Sequence, residues 1–270
     1  MDAPPLVSII TPVLNGARFL PDLLASVRAQ DHPRLEHVVI DGGSTDGTLD
    51  LLEATPGLVW VTGRDRGLYD AINKGLRLAQ GEVVTYQNAD DRYASPEAVS
   101  SAVAFLCARP DVDVAYGGYR FIDEAGRPLR RGEIRPPEFR LWLLKHHSFV
   151  PPHATFLRSR VVARDSMLID PGFRFAGDWD WFLRLALAGR RFARLDRLVA
   201  EFRRHADTQT SRLPLDLKKA EFQRIARRGG GSYALLLWYE LYWMPLKRRL
   251  GWRAFPRRHG ERASPAHSRR

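Results

Sequence analysis

Four apolar, β-branched runs separated by helix-patterned segments constrain this chain most. Residues 6–11, 35–41, 58–62 and 81–87 read as strands, each short and each ended by a polar or turn-forming break. Between them, residues 18–30 place Phe19, Leu23, Leu24 and Val27 at helical spacing. Residues 48–54 and 69–79 read as two more helices, and Ser95 with Pro96 opens a fourth that runs to about Cys107. Strands alternating with helices at this spacing predict an α/β fold with a mostly parallel, doubly wound sheet. No G-x-G-x-x-G follows the first strand, which argues against a nicotinamide-dinucleotide site.

After residue 111 the alternation lapses. Residues 112–116 read as a strand, 119–133 as a hairpin turning at Glu124-Ala125-Gly126, and 136–150 as a partly helical connection. Residues 154–157 suit a strand, 158–164 a short helix, 178–188 a helix, and 192–202 an extended strand. Gly229-Gly230-Gly231 reads as a flexible break. The expected organisation is one domain over 1–228, with halves at 1–110 and 111–228, a helical extension over 229–256, and a disordered basic tail over 257–270.

Charge narrows the partners. The chain of 270 residues carries a formal net charge of +11, and its basic residues crowd the C-terminal part from Lys218 onward. Such a bias calls for an anionic partner: lipid head groups, nucleic acid or a phosphorylated substrate. No nucleic-acid-binding motif is present, so nucleic acid is disfavoured. Residues 232–250 are rich in Leu, Trp and Tyr, and Lys247, Arg248 and Arg249 follow Pro245. Aromatics beside cations suit a membrane interface over 232–258; a helix packed on the body or on a second subunit has the same pattern. The N-terminus lacks a basic signal-peptide start, and no apolar run reaches the ~20 residues of a membrane span. A lone Cys107 excludes an intramolecular disulfide. A cytoplasmic protein, peripheral at the inner face of the cytoplasmic membrane, is the expectation.

Polar clusters fall at the ends of the expected strands. The segment Asn88-Ala89-Asp90-Asp91 sets an amide and two carboxylates together, a repulsive arrangement that a hard divalent cation relieves. The alternative is a turn and helix cap. In an open α/β sheet this end of the strands is where ligands bind. Thr11-Pro12-Val13-Leu14-Asn15-Gly16 forms a loop with accessible backbone groups. Asp41 ends a strand beside Gly42, Gly43 and Ser44, where a carboxylate can accept from a nucleobase or ribose. Asp70, Asn73 and Lys74 share a helix face, either as a surface ion pair or as a pocket wall. Asp178 begins a helix among aromatics that would desolvate a carboxylate, as a general base needs, or it is that helix's cap. His205 suits a metal shell or a phosphate.

In this order, these motifs resemble those of the inverting glycosyltransferase family 2, whose members have the GT-A fold, and most closely its bacterial members that assemble polysaccharide and lipopolysaccharide. The matching strings are Ile10-Thr11-Pro12 with Asn15; Asp41-Gly42-Gly43-Ser44-Thr45-Asp46-Gly47; Asp65-Arg66-Gly67 with Tyr69-Asp70-Ala71 and Asn73-Lys74-Gly75; and Asn88-Ala89-Asp90-Asp91. The resemblance implies a nucleotide-sugar donor, most often a UDP-sugar, and a glycan or lipid-linked acceptor. It implies that Thr11, Pro12, Val13, Asn15, Asp41, Ser44, Asp65, Tyr69, Asp70, Asn73, Lys74, Asn88 and Ala89 line the donor site. Asp90, Asp91 and His205 would hold Mn²⁺ or Mg²⁺, and Asp178 would be the catalytic base. Two positions depart from the family pattern: Asn88 replaces the first Asp of the metal motif, and Gly177 stands where many relatives have Glu. Asp180, two residues past Asp178, is the competing base. A nucleotide-sugar-binding assembly protein without catalysis is the alternative.

Overall fold

The computed structural model describes residues 3–162, 167–206 and 213–232, the side chains of residues 130 and 131 excepted. The chain begins with three βα units: β1 (Val7–Val13), α1 (Leu20–Arg28), β2 (Leu35–Asp41), α2 (Thr48–Glu53), β3 (Leu58–Thr62) and α3 (Leu68–Leu78). Then come β4 (Val83–Tyr86), β5 (Arg92–Tyr93), α4 (Ala98–Ala108), β6 (Val114–Ile122), β7 (Pro128–Ile134) and α5 (Leu141–Leu144). β8 (Thr155–Arg158), α6 (Gly177–Leu187), β9 (Phe192–Arg203) and α7 (Leu215–Gly229) complete the described chain.

The strands form one sheet in the order β3-β2-β1-β4-β8-β6-β9-β5, with β7 on β6. The β3-β2-β1-β4 part is parallel, as the sequence pattern requires. The later strands turn the sheet mixed: β8 enters antiparallel between β4 and β6, whereas β9 runs parallel to β6. β1 sits in the middle of the parallel part and is buried along its whole length, which explains its continuous apolar run.

Alternation along the strands sorts side chains onto two faces. Ile10, Val38, Ile40, Val84 and Tyr86 join Ile72 of α3 and Trp179, Trp181 and Phe182 of α6. Val7, Ile9, Val39 and Val83 join Leu20, Leu23 and Leu24 of α1 and Val99, Ala102 and Val103 of α4. Each buried aliphatic contributes ~1.5–3 kcal/mol. A Cβ at Gly75 would lie 2.4 Å from Ile10 Cγ2, so glycine lets α3 seat on β1.

Several boundaries differ from expectation. α4 begins three residues beyond Ser95, whose backbone carbonyl, not its side chain, accepts from Ala98 N–H. The expected strand at 112–116 continues to Ile122 and forms the first arm of the hairpin. α7 falls where no helix was expected. Gly229-Gly230-Gly231 is a packed helix end, not a flexible break: Gly230 takes the left-handed conformation of a C-terminal cap, and a Cβ at Gly231 would meet Lys145 O at 2.5 Å. The expected extension beyond 232 and the basic tail lie outside the described residues, as does the end of the helix expected over 158–164. Among the described residues no helix is long and apolar enough to cross a membrane.

Candidate active site

The loops that follow β1 and β2 are laced together by backbone and short side chains. Asn15 takes a left-handed conformation (φ 51°). Its N–H donates to Ser44 Oγ (2.7 Å), and its Oδ1 accepts from Thr45 N–H (2.9 Å). Gly16 N–H donates to Thr48 Oγ1 and Ala17 N–H to Asp46 Oδ2, each at 3.0 Å. Asp41 is fully buried; its carboxylate accepts from Gly43 N–H (2.9 Å), Ser44 N–H (3.1 Å) and Thr62 Oγ1 (2.6 Å). Burial alone would raise its pKa, but these hydrogen bonds together hold it below the usual carboxylate value. Thr11 corrects an expectation. It is fully buried and its hydroxyl lies 2.9 Å from Nε2 of buried His37, so its side chain serves the interior. Pro12 and Val13 are buried beside it, while Leu14 stands 63% exposed at the loop tip.

The next loop does not pair as its spacing suggested. Lys74 pairs with Asp65, and Asp70 accepts from Arg66 Nη2 (2.8 Å) and Arg66 N–H (3.1 Å). Asn73 is no wall of an open pocket. It is buried, donating to Ile169 O (2.6 Å) and accepting from Ile169 N–H (3.0 Å), which consumes its amide as a backbone clamp. Tyr69 reaches furthest: its hydroxyl donates to Phe175 O (2.8 Å) and lies 3.4 Å from Asp178 Oδ1.

At the end of β4 the four polar residues take separate parts. Asp90 Oδ2 lies 2.9 Å from His205 Nε2. Asp91 is buried, and both its oxygens are occupied, by Arg203 N–H (2.9 Å) and by Asn88 Nδ2 (3.1 Å). Burial, and then the Asp90 charge, push its carboxyl well above the ordinary range. Asp91, expected as a metal ligand, here fastens the end of β4 to β9. Asn88 now has a physical reason: an amide donates to the buried Asp91, where a carboxylate would repel it. Arg203, to which the sequence assigned no role, is fully buried. It donates to Asp90 O (2.9 Å), Glu124 O (2.8 Å) and Asp22 Oδ2 (2.6 Å), and its guanidinium lies over the Phe19 ring. That ring also packs on His205.

Across the site stands the start of α6. Asp178 is partly buried, and desolvation raises its pKa to about 6 against the opposing hydrogen bonds from Trp179 N–H and Tyr69. Asp180 is fully buried and held by Arg184 Nε (2.8 Å) and Arg228 Nη1 (2.6 Å). Two arginines thus engage both oxygens of Asp180, whereas Asp178 accepts from Trp179 N–H and lies near the Tyr69 hydroxyl. Gly177 faces the Tyr69 ring, which a Cβ there would approach to 2.6 Å, so a larger residue would displace Tyr69. Tyr86, at the end of β4, feels the charges of both Asp178 and Asp91, which puts the two carboxylate groups around one strand end.

The donor set suits a divalent cation in part. Asn88 Oδ1 is buried without a partner, and Asp90 and His205 stand together. Among the described residues, no group of three or more His, Cys, Asp or Glu gathers as a metal centre. Two protein ligands completed by phosphate oxygens is an arrangement Mg²⁺ and Mn²⁺ accept.

Comparison with known proteins bears on the family and the fold. The model of the family described as "Glycosyl transferase family 2" matches residues 8–165, more than half of the chain. An uncharacterized glycosyltransferase of Mycobacterium tuberculosis is 35% identical over 190 residues, covering 69% of this chain and 71% of that protein. The fold is similar to that of S. aureus TarS 1–349 in complex with UDP-GlcNAc, with a TM-score of 0.67 and 22% identity over 86% of this chain and 66% of that one. It is also similar to a mannosyltransferase of Pyrobaculum calidifontis in complex with GDP-Man and Mn²⁺, with a TM-score of 0.58 and 23% identity over 76% of this chain and 59% of that one. By the family model that matches more than half of its length, by its 35% identity to a glycosyltransferase and by its GT-A-like sheet, this chain belongs to glycosyltransferase family 2.

Proposed function

We propose that this chain transfers a hexosyl group, with inversion, from a nucleoside-diphosphate sugar to a hydroxyl of a glycan or lipid-linked acceptor in cell-surface polysaccharide assembly. The observation that carries the reading is the contrast at the start of α6: Asp180 is held by Arg184 and Arg228, whereas Asp178, with its pKa raised by burial to about 6, has no arginine partner among the described residues. Such a group is ionised at neutral pH and still basic enough to take a proton. The acceptor oxygen forms its bond to the anomeric carbon as its proton passes to Asp178. The bond from that carbon to the diphosphate oxygen breaks on the opposite face, and its electron pair leaves with the diphosphate. Tyr69 steadies the carboxylate through its hydroxyl.

The laced loops carrying Asn15, Asp41 and Ser44, together with Pro12, Val13, Asp65, Asp70 and Lys74, border the nucleoside end of the donor; Asn88 and Ala89 lie toward the diphosphate. The UDP-GlcNAc and GDP-Man bound to the structural neighbours support a nucleotide-sugar, with UDP as the first candidate. Asp90 and His205 would hold Mn²⁺ or Mg²⁺, which when bound neutralises the leaving diphosphate. The Mn²⁺ of the mannosyltransferase supports that choice. The test is transfer from a panel of labelled nucleotide-sugars, with and without Mn²⁺. Asp178→Asn should bind donor normally while transfer falls by at least about a hundredfold; near-normal transfer would remove Asp178 from the role.

Residues 233–270 hold nine Lys or Arg against two Glu, with three Trp and three Tyr. This supports a peripheral site at the inner face of the cytoplasmic membrane through 232–258, near a lipid-linked acceptor. The full chain should float with anionic liposomes, and a chain ending at residue 232 should not; equal flotation of both would end this reading.

A further inference from the structure

We propose that Glu221 on α7 is a positioning residue for Asp178, which makes α7 part of the catalytic unit. The inference rests on Asp178 being the base. Glu221 is buried, and its carboxylate accepts three consecutive backbone N–H groups just ahead of α6: Arg174 (2.6 Å), Phe175 (3.0 Å) and Ala176 (2.8 Å). No capping side chain within α6 does this work. A carboxylate from 45 residues away fixes the turn that delivers Asp178. The grip extends to the other side of the base, because Phe175, held through its N–H, offers its carbonyl to the Tyr69 hydroxyl.

The rest of α7 supports the same placement. Phe222 packs on Phe175 and Trp179, and Arg228 holds Asp180. From the opposite side, Trp179 Nε1 donates to Leu144 O of α5 (2.6 Å). The first turn of α6 is thus clamped by α5 and α7 together. Three groups face Asp178 from the neighbouring elements: Tyr69 from α3, Tyr86 from β4 and Glu221 from α7. Glu221 is the one carboxylate among them, and its charge adds to the rise that burial gives the Asp178 pKa.

Two substitutions separate charge from reach. Glu221→Gln keeps the shape but offers only one acceptor oxygen and turns an N–H₂ toward backbone N–H groups. Glu221→Asp keeps the charge and withdraws it by one methylene. In wild-type chain, kcat/KM should fall below an acid limb near pH 6, as Asp178 takes up a proton. Glu221→Gln should lower kcat by about tenfold or more, leave donor KM within about twofold, and move that limb to lower pH. Glu221→Asp should lower kcat with the limb unmoved. A Glu221→Gln limb left at the wild-type pH overturns the inference. Should that variant not fold, a wild-type kcat in Glu221→Asp overturns it instead. Asp178→Asn, measured alongside, keeps the two readings apart. If it transfers sugar, the base assignment fails; if it is inactive while Glu221→Gln behaves as wild type, only the role of Glu221 fails.

Discussion

The two halves of this molecule build their share of the site by different means. In residues 7–110 most of the contacts that shape the site are local or join neighbouring loops. Asp41 is satisfied by Gly43, Ser44 and Thr62, and Asp70 by Arg66 four residues away. After residue 110 the decisive contacts span the chain: Glu221 to the turn at 174–176, Arg228 to Asp180, and Arg203 back to Asp22 and Asp90. The first half is held by short motifs that fold with their own strands. The second depends on distant segments docking. The proposed chemistry straddles the seam, with Asp90 from one side and Asp178 from the other, so side chains that cross it should matter more than pairs within the first half.

Arg203→Met is the severest test of that difference. It strips the donors from the carbonyls of Asp90, Asp123 and Glu124 and removes a fully buried guanidinium. The loss of several hydrogen bonds made by one buried guanidinium, and of the charge partner of Asp22, should cost about 3 kcal/mol of unfolding free energy. Chemical denaturation would show it as a fall in midpoint at unchanged slope, accompanied by weaker donor binding through the displaced Asp90. A variant as stable as wild type, with normal donor affinity, would break the view that the seam organises the site.

Legibility in sequence follows the same divide. β2 begins and ends where its β-branched run does, because a buried parallel strand advertises itself by composition; β3, at the sheet edge and half-exposed, keeps its expected bounds through the β propensity of its Val, Trp and Thr residues. α7 did not stand out in this way: Glu221, Phe222, Ile225, Ala226 and Gly229 share a helix face, but the surrounding Lys and Arg resemble a solvated segment. That face was the available signal. Asn73 and Arg203 were readable as residue types and not as roles, since a buried arginine has the same letter as an exposed one. The sequence favoured Asp178 over Asp180 without showing the partner that sets the two apart: Arg228, which reaches Asp180 from 48 residues away. The wider site was visible as an ordered set of motifs, whereas the duties of Thr11, Asp91 and Asn73 depended on which way each side chain turned.

Arg66→Ala probes the other side of the divide and should do least. Arg66 is 76% exposed on its side chain, and its bond to Asp70 lies within one turn. Solvent and salt screen such a pair, and ordering a long side chain offsets what it gains. The substitution also leaves the Arg66 N–H, which reaches Asp70 Oδ2 at 3.1 Å, in place. At neutral pH the melting temperature should stay within the scatter of repeat measurements. The residual effect has a defined sign. Hydrogen bonding to Arg66 holds the Asp70 pKa below its usual value, so its stabilisation is present above the ordinary carboxylate pKa of about 4 and is lost as pH falls through the folded value. Any difference between wild type and variant should therefore be largest at neutral pH and low salt, and vanish in acid. A loss as deep as that of Arg203→Met would mean that pairs within the first half also hold the site, and the contrast between the halves would fail.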